Sequence, residues 1–174
     1  MHNSMTHGLA PAAKLEEWFA LYGDAVLRTC YMYLSDRALA EDATQDTFIK
    51  AWRGMEKFEG RNDSSAKTWI LRIAINTCKD YRRTAWFKHV DLSRALEELP
   101  PAIRDVTGES RAMFMDVMRL PATLKQAILL YHFNDLTLNE TAQALHVSRS
   151  TIQNRLHKAY ALLQFAPEGS GGNE

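Results

Sequence analysis

Apolar residues recur at helical spacing through most of this chain, and the residues that end helices gather in the short stretches between the periodic blocks. A set repeating at i, i+3, i+4 and i+7 forms one buried stripe only when the backbone is α-helical. Over residues 14–34 the stripe is Trp18, Tyr22, Ala25, Val26, Thr29, Cys30 and Tyr33. Ser35 and Asp36 are good N-cap types, and a second stripe follows with Leu39, Ala43, Phe48, Ala51, Trp52 and Met55, ending between Gly54 and Gly60. The polar run from Glu59 to Ser65 leads into a third helix with an inner face of Trp69, Ile70, Ile73, Ala74, Thr77, Cys78 and Tyr81. Three facing stripes make one compact helical unit. Gly and Pro number only 8 and 5 among 174 residues, so the chain reads as all-α.

The periodicity breaks after residue 84, where Pro100 and Pro101 are adjacent and Gly108 follows; Leu92, Ala95, Leu96 and Leu99 allow one short helix there. Such a stretch reads as a linker. From about Ser110 the helical pattern resumes, with a short helix, then one beginning near Pro121 with Leu124, Ala127, Ile128 and Tyr131, then a helical pair. The expected layout is a disordered tail at 1–13, a helical domain at 14–86, a flexible linker at 87–109, a second helical domain at 110–165 and a Gly-rich disordered tail at 166–174. A length of 174 residues suits two such small domains.

The C-terminal pair carries the most specific local signal. Thr137 and Glu140 have capping-box spacing, which starts a helix continuing through Ala142 and Leu145. His146 and Val147 make a tight turn, Ser148 caps the next helix, and Ile152, Leu156, Ala159 and Leu163 form its apolar face. Two short helices around such a turn form a helix-turn-helix. The outward face offers Arg149, Ser150, Thr151, Gln153, Asn154, Arg155, His157 and Lys158, with no acid between residues 148 and 158. Arg and Lys neutralise phosphates, and Gln and Asn pair with adenine edges. A helical hairpin with a solvated polar face is the competing reading.

A second basic face lies on the third helix. Arg72, Asn76, Lys79 and Arg83 stand at i, i+4, i+7 and i+11, opposite the apolar stripe. Residues 47–88 hold ten Lys and Arg against four acids, an excess that suits a nucleic-acid backbone or simply a solvated face. Just before it, Asp36, Glu41, Asp42 and Asp46 face only Arg37 in charge. Asp42, Gln45 and Asp46 share one side of the second helix. Carboxylates in that arrangement serve metal binding, acid–base work or protein docking; no His or Cys stands at matching spacing.

Other classes are disfavoured. Lys plus Arg and Asp plus Glu both total 21, so the formal net charge is zero and indiscriminate coating of DNA is not expected. Cys30 and Cys78 form no disulfide framework or zinc motif and suit a reducing cytosol. They fall on inner faces and read as inert packing. The N-terminus lacks the pattern of a secretory signal, and no apolar run approaches a membrane span. Phosphate-loop, nucleophile-elbow and zinc-protease motifs are absent, so no enzyme activity, cofactor, metal or small-molecule substrate is expected.

Taken in order, the strings DRALAEDATQDTFIKAWR (36–53), FEGR (58–61), TWILRIAINT (68–77), LTLNETAQAL (136–145) and STIQNRLHKA (150–159) resemble the small bacterial sigma factors of the extracytoplasmic-function (ECF) group. The likeness covers residues 14–86 and 110–165. It implies a cytoplasmic transcription-initiation factor that binds core RNA polymerase, at the β′ clamp and the β flap, and recognises promoter DNA. Asp42, Gln45 and Asp46 match positions that dock on the clamp. The segment with Phe58, Arg61, Asn62 and Asp63 matches the loop that captures melted −10 bases; Asn76 borders the base pocket, and Arg72, Lys79, Arg82 and Arg83 would follow the backbone. The helix after Ser148 would enter the −35 major groove. A cognate anti-sigma factor is a family expectation. The chain departs from the family pattern at His146, where Gly is usual, and at Gln153, where a basic residue is common.

Overall fold

The computed structural model describes residues 10–59, 65–84, 97–98 and 108–163. Among these residues there is no strand. The elements are α1 (Pro11–Leu34), α2 (Arg37–Glu59), α3 (Ala66–Arg83), α4 (Gly108–Arg119), α5 (Ala122–Ile128), a π-helical turn (Leu129–Phe133), α6 (Leu138–Leu145) and α7 (Arg149–Leu163). The short helix expected around Leu92 to Leu99 and most of the expected linker lie outside the described residues, as do residues 1–9 and 164–174.

Local chemistry sets the boundaries. Pro11 occupies the first turn of α1, where its fixed φ suits a helix and no N–H is missed. This start is three residues before the expected Lys14. At the other end Ser35 adopts φ 57° and donates its N–H to the Tyr31 carbonyl, while Asp36 Oδ1 accepts from the Leu39 N–H at 2.9 Å. One helix therefore ends and the next begins on adjoining residues. Ser65 caps α3 by accepting from the Thr68 N–H.

α1, α2 and α3 pack against one another. Ala40, Ala43, Ala51 and Ala74 are fully buried between Val26, Cys30, Phe48, Ile70 and Cys78. Buried Thr44 and Thr47 return their hydroxyls to the carbonyls of Ala40 and Ala43, each at 2.7 Å, which satisfies them without disturbing the apolar packing. At one end of the unit Phe58 stacks on Trp69 with centroids 4.7 Å apart, and Trp18 meets both edge-on. Gly54 leaves the stack room, because a Cβ there would stand 3.1 Å from the Trp69 ring and press on it.

Two expectations about inner faces are corrected. Trp52 is 52% exposed instead of buried, because its side of α2 faces no other described helix. Leu71 and Ile75 are buried although they lie beside the expected stripe; α3 packs on α6 as well as on α1 and α2, and so buries a second side.

In the C-terminal unit α7 packs on α5 and α6 around Leu124, Ile128, Leu130, Leu145, Ile152 and Leu156. The π turn continues α5. Asn134 closes it by donating from Nδ2 to the Leu129 carbonyl at 2.8 Å, a group that a widened helix end leaves open. The two units also meet: α1 touches α4, α5 and the π turn, and α3 touches α6.

Candidate nucleic-acid interface

The helix-turn-helix forms as its caps dictate. Thr137 Oγ1 accepts from the Glu140 N–H at 3.1 Å, and Glu140 Oε2 accepts from the Thr137 N–H at 2.8 Å. His146 ends α6 at φ 53° and ψ 44°, the left-handed conformation that lets the chain turn so tightly. Ser148 Oγ then accepts from the Thr151 N–H, opening α7. Ile152, Leu156 and Ala159 are buried, which turns Arg149, Ser150, Gln153, Asn154, His157 and Lys158 outward. Thr151 and Arg155 are half-buried. The hydroxyls of Ser150 and Thr151 both reach Ser148 Oγ, so they belong to the cap as well as to the exposed face.

On α3 the basic stripe is present, with differences among its members. Asn76 and Arg83 are exposed. Arg83 lies 3.9 Å from Asp80, a carboxylate that also has Lys50 at 3.7 Å. Arg72 is half-buried, and its Nε is buried without a hydrogen-bond partner. Lys79 is half-buried, and its ammonium is held below the usual lysine range by desolvation first, then by Arg155 and Arg83. Arg82, expected to follow the backbone beside the stripe, has its guanidinium over the Tyr33 ring of α1, 5.6 Å from the centroid. Phe58 is engaged in the aromatic stack at the end of α2. Arg61, Asn62 and Asp63 lie outside the described residues.

On α2, Asp42 and Gln45 are exposed and Asp46 is half-buried. Asp46 has a structural partner, since the Tyr81 hydroxyl donates to its Oδ2 at 2.7 Å. Burial, then this bond and the carboxylate charge, push the Tyr81 phenol above its usual range. The same exposed face continues from Asp42 and Gln45 to Ile49 and Trp52, which are 43% and 52% exposed. Periodicity counted Trp52 as core, and only the absence of a covering helix shows it as surface. Among the described residues no group of three or more His, Cys, Asp or Glu side chains is placed to hold a metal ion. Nor is any described helix long and apolar enough to cross a membrane.

Between the units lies a set of polar contacts that sequence reasoning did not foresee, although Thr29 and Tyr33 were placed on an inner face. Asn134 Nδ2 donates to Thr29 Oγ1 at 2.9 Å, Gln126 Nε2 to the Tyr33 hydroxyl at 3.0 Å, and Arg28 Nη2 to the Phe133 carbonyl at 3.2 Å. The Lys125 ammonium sits 5.9 Å from the Tyr33 ring centroid. Polar residues at positions that periodicity assigns to the interior were the available signal.

Comparison with known proteins agrees with this arrangement. Residues 18–88 match Sigma-70 region 2, and residues 117–163 match Sigma-70, region 4. The RNA polymerase sigma-E factor of Streptomyces avermitilis is 30% identical over 166 residues, covering 92% of this chain and 87% of that protein. The ECF RNA polymerase sigma-E factor of Salmonella typhimurium is 30% identical over 132 residues, 68% of each chain. Among solved structures, the fold resembles the sigma factor RpoE of Bartonella quintana crystallised with the anti-sigma factor NepR, with a TM-score of 0.69, 21% identity and coverage of 87% of this chain and 94% of that one. It also resembles CnrH in complex with the cytosolic domain of CnrY, with a TM-score of 0.64, 21% identity and coverage of 88% and 86%. The chain belongs to the sigma-70 family of RNA polymerase sigma factors, in its extracytoplasmic-function group.

Proposed function

We propose that this chain binds core RNA polymerase in the cytoplasm, directs it to promoters by −10 and −35 recognition, and assists promoter melting. The observation that carries the DNA half is the helix-turn-helix, whose caps are complete and whose second helix turns an acid-free polar face to solvent. In this reading Arg149, Ser150, Thr151, Gln153, Asn154, Arg155, His157 and Lys158 meet the −35 major groove. Arg and Lys there neutralise phosphates, while Gln153 and Asn154 reach base edges.

The N-terminal unit, residues 14–86, supplies the other two contacts. Asp42, Gln45 and Asp46 dock on the β′ clamp through charge-assisted hydrogen bonds to basic side chains, with Ile49 and Trp52 extending the face as its apolar part. Arg72, Asn76, Lys79 and Arg83 follow the backbone of the melted −10 strand, Arg82 joins them on release from Tyr33, and Phe58 to Asp63 form the base-capturing segment. Capture of an extruded base stabilises the open strand, so melting needs no chemistry by the factor itself. The C-terminal unit, residues 110–165, also meets the β flap, and residues 87–109 connect the two. One of the solved relatives is a complex with an anti-sigma factor, which supports a partner of that kind for this chain.

Run-off transcription with purified core polymerase tests the proposal. The chain added to core is expected to give promoter-specific transcripts from genomic fragments, and Lys79→Glu with Arg83→Glu is expected to spare core binding while impairing open-complex formation. No specific transcript from any native promoter would refute the function.

A further inference from the structure

Lys50, Arg53 and Lys57 stand at i, i+3 and i+7 and share one side of α2, where all three are exposed. Three contacts fix where that side points. Asp46 accepts from the Tyr81 hydroxyl at 2.7 Å, Lys50 Nζ donates to Thr77 Oγ1 at 3.1 Å, and Phe58 stacks on Trp69. Residue numbers rise along α2 as they fall along α3, so the helices run antiparallel and the Lys50 side of α2 borders α3. On α3, Trp69, Ile73 and Asp80 stand at i, i+4 and i+11 and form the line nearest α2, beyond which lies the stripe of Arg72, Asn76, Lys79 and Arg83. Trp69 and Ile73 are half-buried. The face therefore has an aromatic and aliphatic floor, with cations along both margins.

A single strand binds where its phosphates meet cations and its unstacked bases meet apolar or aromatic side chains. We propose that the melted −10 strand lies between these two margins, with Lys50, Arg53 and Lys57 of α2 as further phosphate contacts, and that Asp80 is a positioning residue, holding Lys50 and Arg83 over the path until phosphate replaces it. The proposal rests on the sigma-factor reading and extends its −10 site from one helix to two.

Asp80 Oδ2 lies 3.7 Å from Lys50 Nζ, and its Oδ1 lies 3.9 Å from Arg83 Nη1. The side chains of Lys50, Asp80 and Arg83 are 46%, 60% and 79% exposed. Ion pairs this long and this open to water contribute little to stability. They do keep one cation from each margin beside the path, and they exchange readily for a charge-assisted bond to a phosphate oxygen. Thr77 holds Lys50 on the same side once Asp80 lets go. Among the described residues no ion pair engages Arg53 or Lys57, so both are ready for phosphate without exchange.

The test uses holoenzyme assembled from core polymerase and the full chain. It is titrated by fluorescence anisotropy with two labelled single strands, the non-template −10 region of a promoter it transcribes and a thymine-only strand, between about 50 and 200 mM salt. Each phosphate neutralised on a single strand adds roughly 0.7 to the slope of log affinity against log salt. Lys50→Gln with Lys57→Gln should lower that slope by roughly 1.4 on both strands, and Lys50→Arg with Lys57→Arg should keep it at the wild-type value. Asp80→Asn should tighten both strands roughly 3- to 10-fold, and by less in the Lys50→Gln background, because the acid acts through that lysine. An unchanged slope in the double Gln variant, or a slope lowered as much by the Arg pair, overturns the α2 contacts. An Asp80→Asn gain that is absent, or equal with and without Lys50, overturns the positioning role. Absence of promoter-specific transcription by wild-type holoenzyme strikes instead at the sigma-factor reading, whereas an unchanged slope with transcription intact strikes at the α2 row alone.

Discussion

Asp46 has two partners to serve, and separating them is the sharpest test of how α2 works. The Tyr81 hydroxyl donates to Asp46 Oδ2 at 2.7 Å, tying α3 to α2 across 35 residues of sequence. A hydrogen bond to a charged acceptor contributes about 1.5–3 kcal/mol when shielded. Both side chains here are half-exposed, so water competes and the contribution falls below that range, to about 1 kcal/mol. Tyr81→Phe deletes the donor and leaves the carboxylate. In urea unfolding followed by circular dichroism it should lower stability by about 1 kcal/mol, equivalent to roughly 2–4 °C in Tm for a chain of this length. Core binding, measured by fluorescence anisotropy, should not weaken, because the freed carboxylate remains available for docking. Asp46→Asn reverses the pattern. Its amide oxygen still accepts from Tyr81, so stability falls less, but the charge that pairs with the clamp is lost and core binding should weaken roughly 5- to 30-fold. If Tyr81→Phe left the urea midpoint unchanged, or weakened core binding as much as Asp46→Asn, the division of roles would be wrong.

Three further outcomes are expected. His146 holds φ 53° in the turn of the DNA-binding pair, a conformation that costs a side chain about 1 kcal/mol; His146→Gly should raise the urea midpoint, and a fall would show that the imidazole has a stabilising contact. Lys125 is pushed down to about 8, first by burial and then by the charge of Arg82, whereas an unfolded lysine titrates near 10.5. Below pH 8 the folded chain carries this desolvated charge; between about pH 8 and 10 it sheds the proton, so stability should rise with pH by up to about 3 kcal/mol, and comparison with Lys125→Met isolates that rise as the part the variant lacks. Cys78 hydrogen-bonds to Cys30, and that bond together with burial pushes its thiol well up, so an aromatic disulfide reagent should modify the native protein only as fast as it opens; modification within the mixing time would contradict the packing.

What the sequence by itself determined is local and periodic. Helical spacing, with Thr137 and Ser148 as caps, is written in neighbouring residues and needs no distant partner, which is why the helix-turn-helix could be read down to its turn at His146. The basic stripe of α3 was legible for the same reason, since residues at i, i+4, i+7 and i+11 share a face in any α-helix. Tertiary structure decided everything that depends on which elements meet. Trp52 came out exposed because no described helix covers it, and Leu71 and Ile75 were buried because α3 packs on a second side. Arg82 turned to Tyr33, and Asp46 was claimed by Tyr81. The joining of the two units through Thr29, Tyr33, Gln126 and Asn134 follows no periodicity, because a hydrogen bond between residues 93 to 105 apart is fixed by how two separately folded surfaces fit and not by any pattern along either helix.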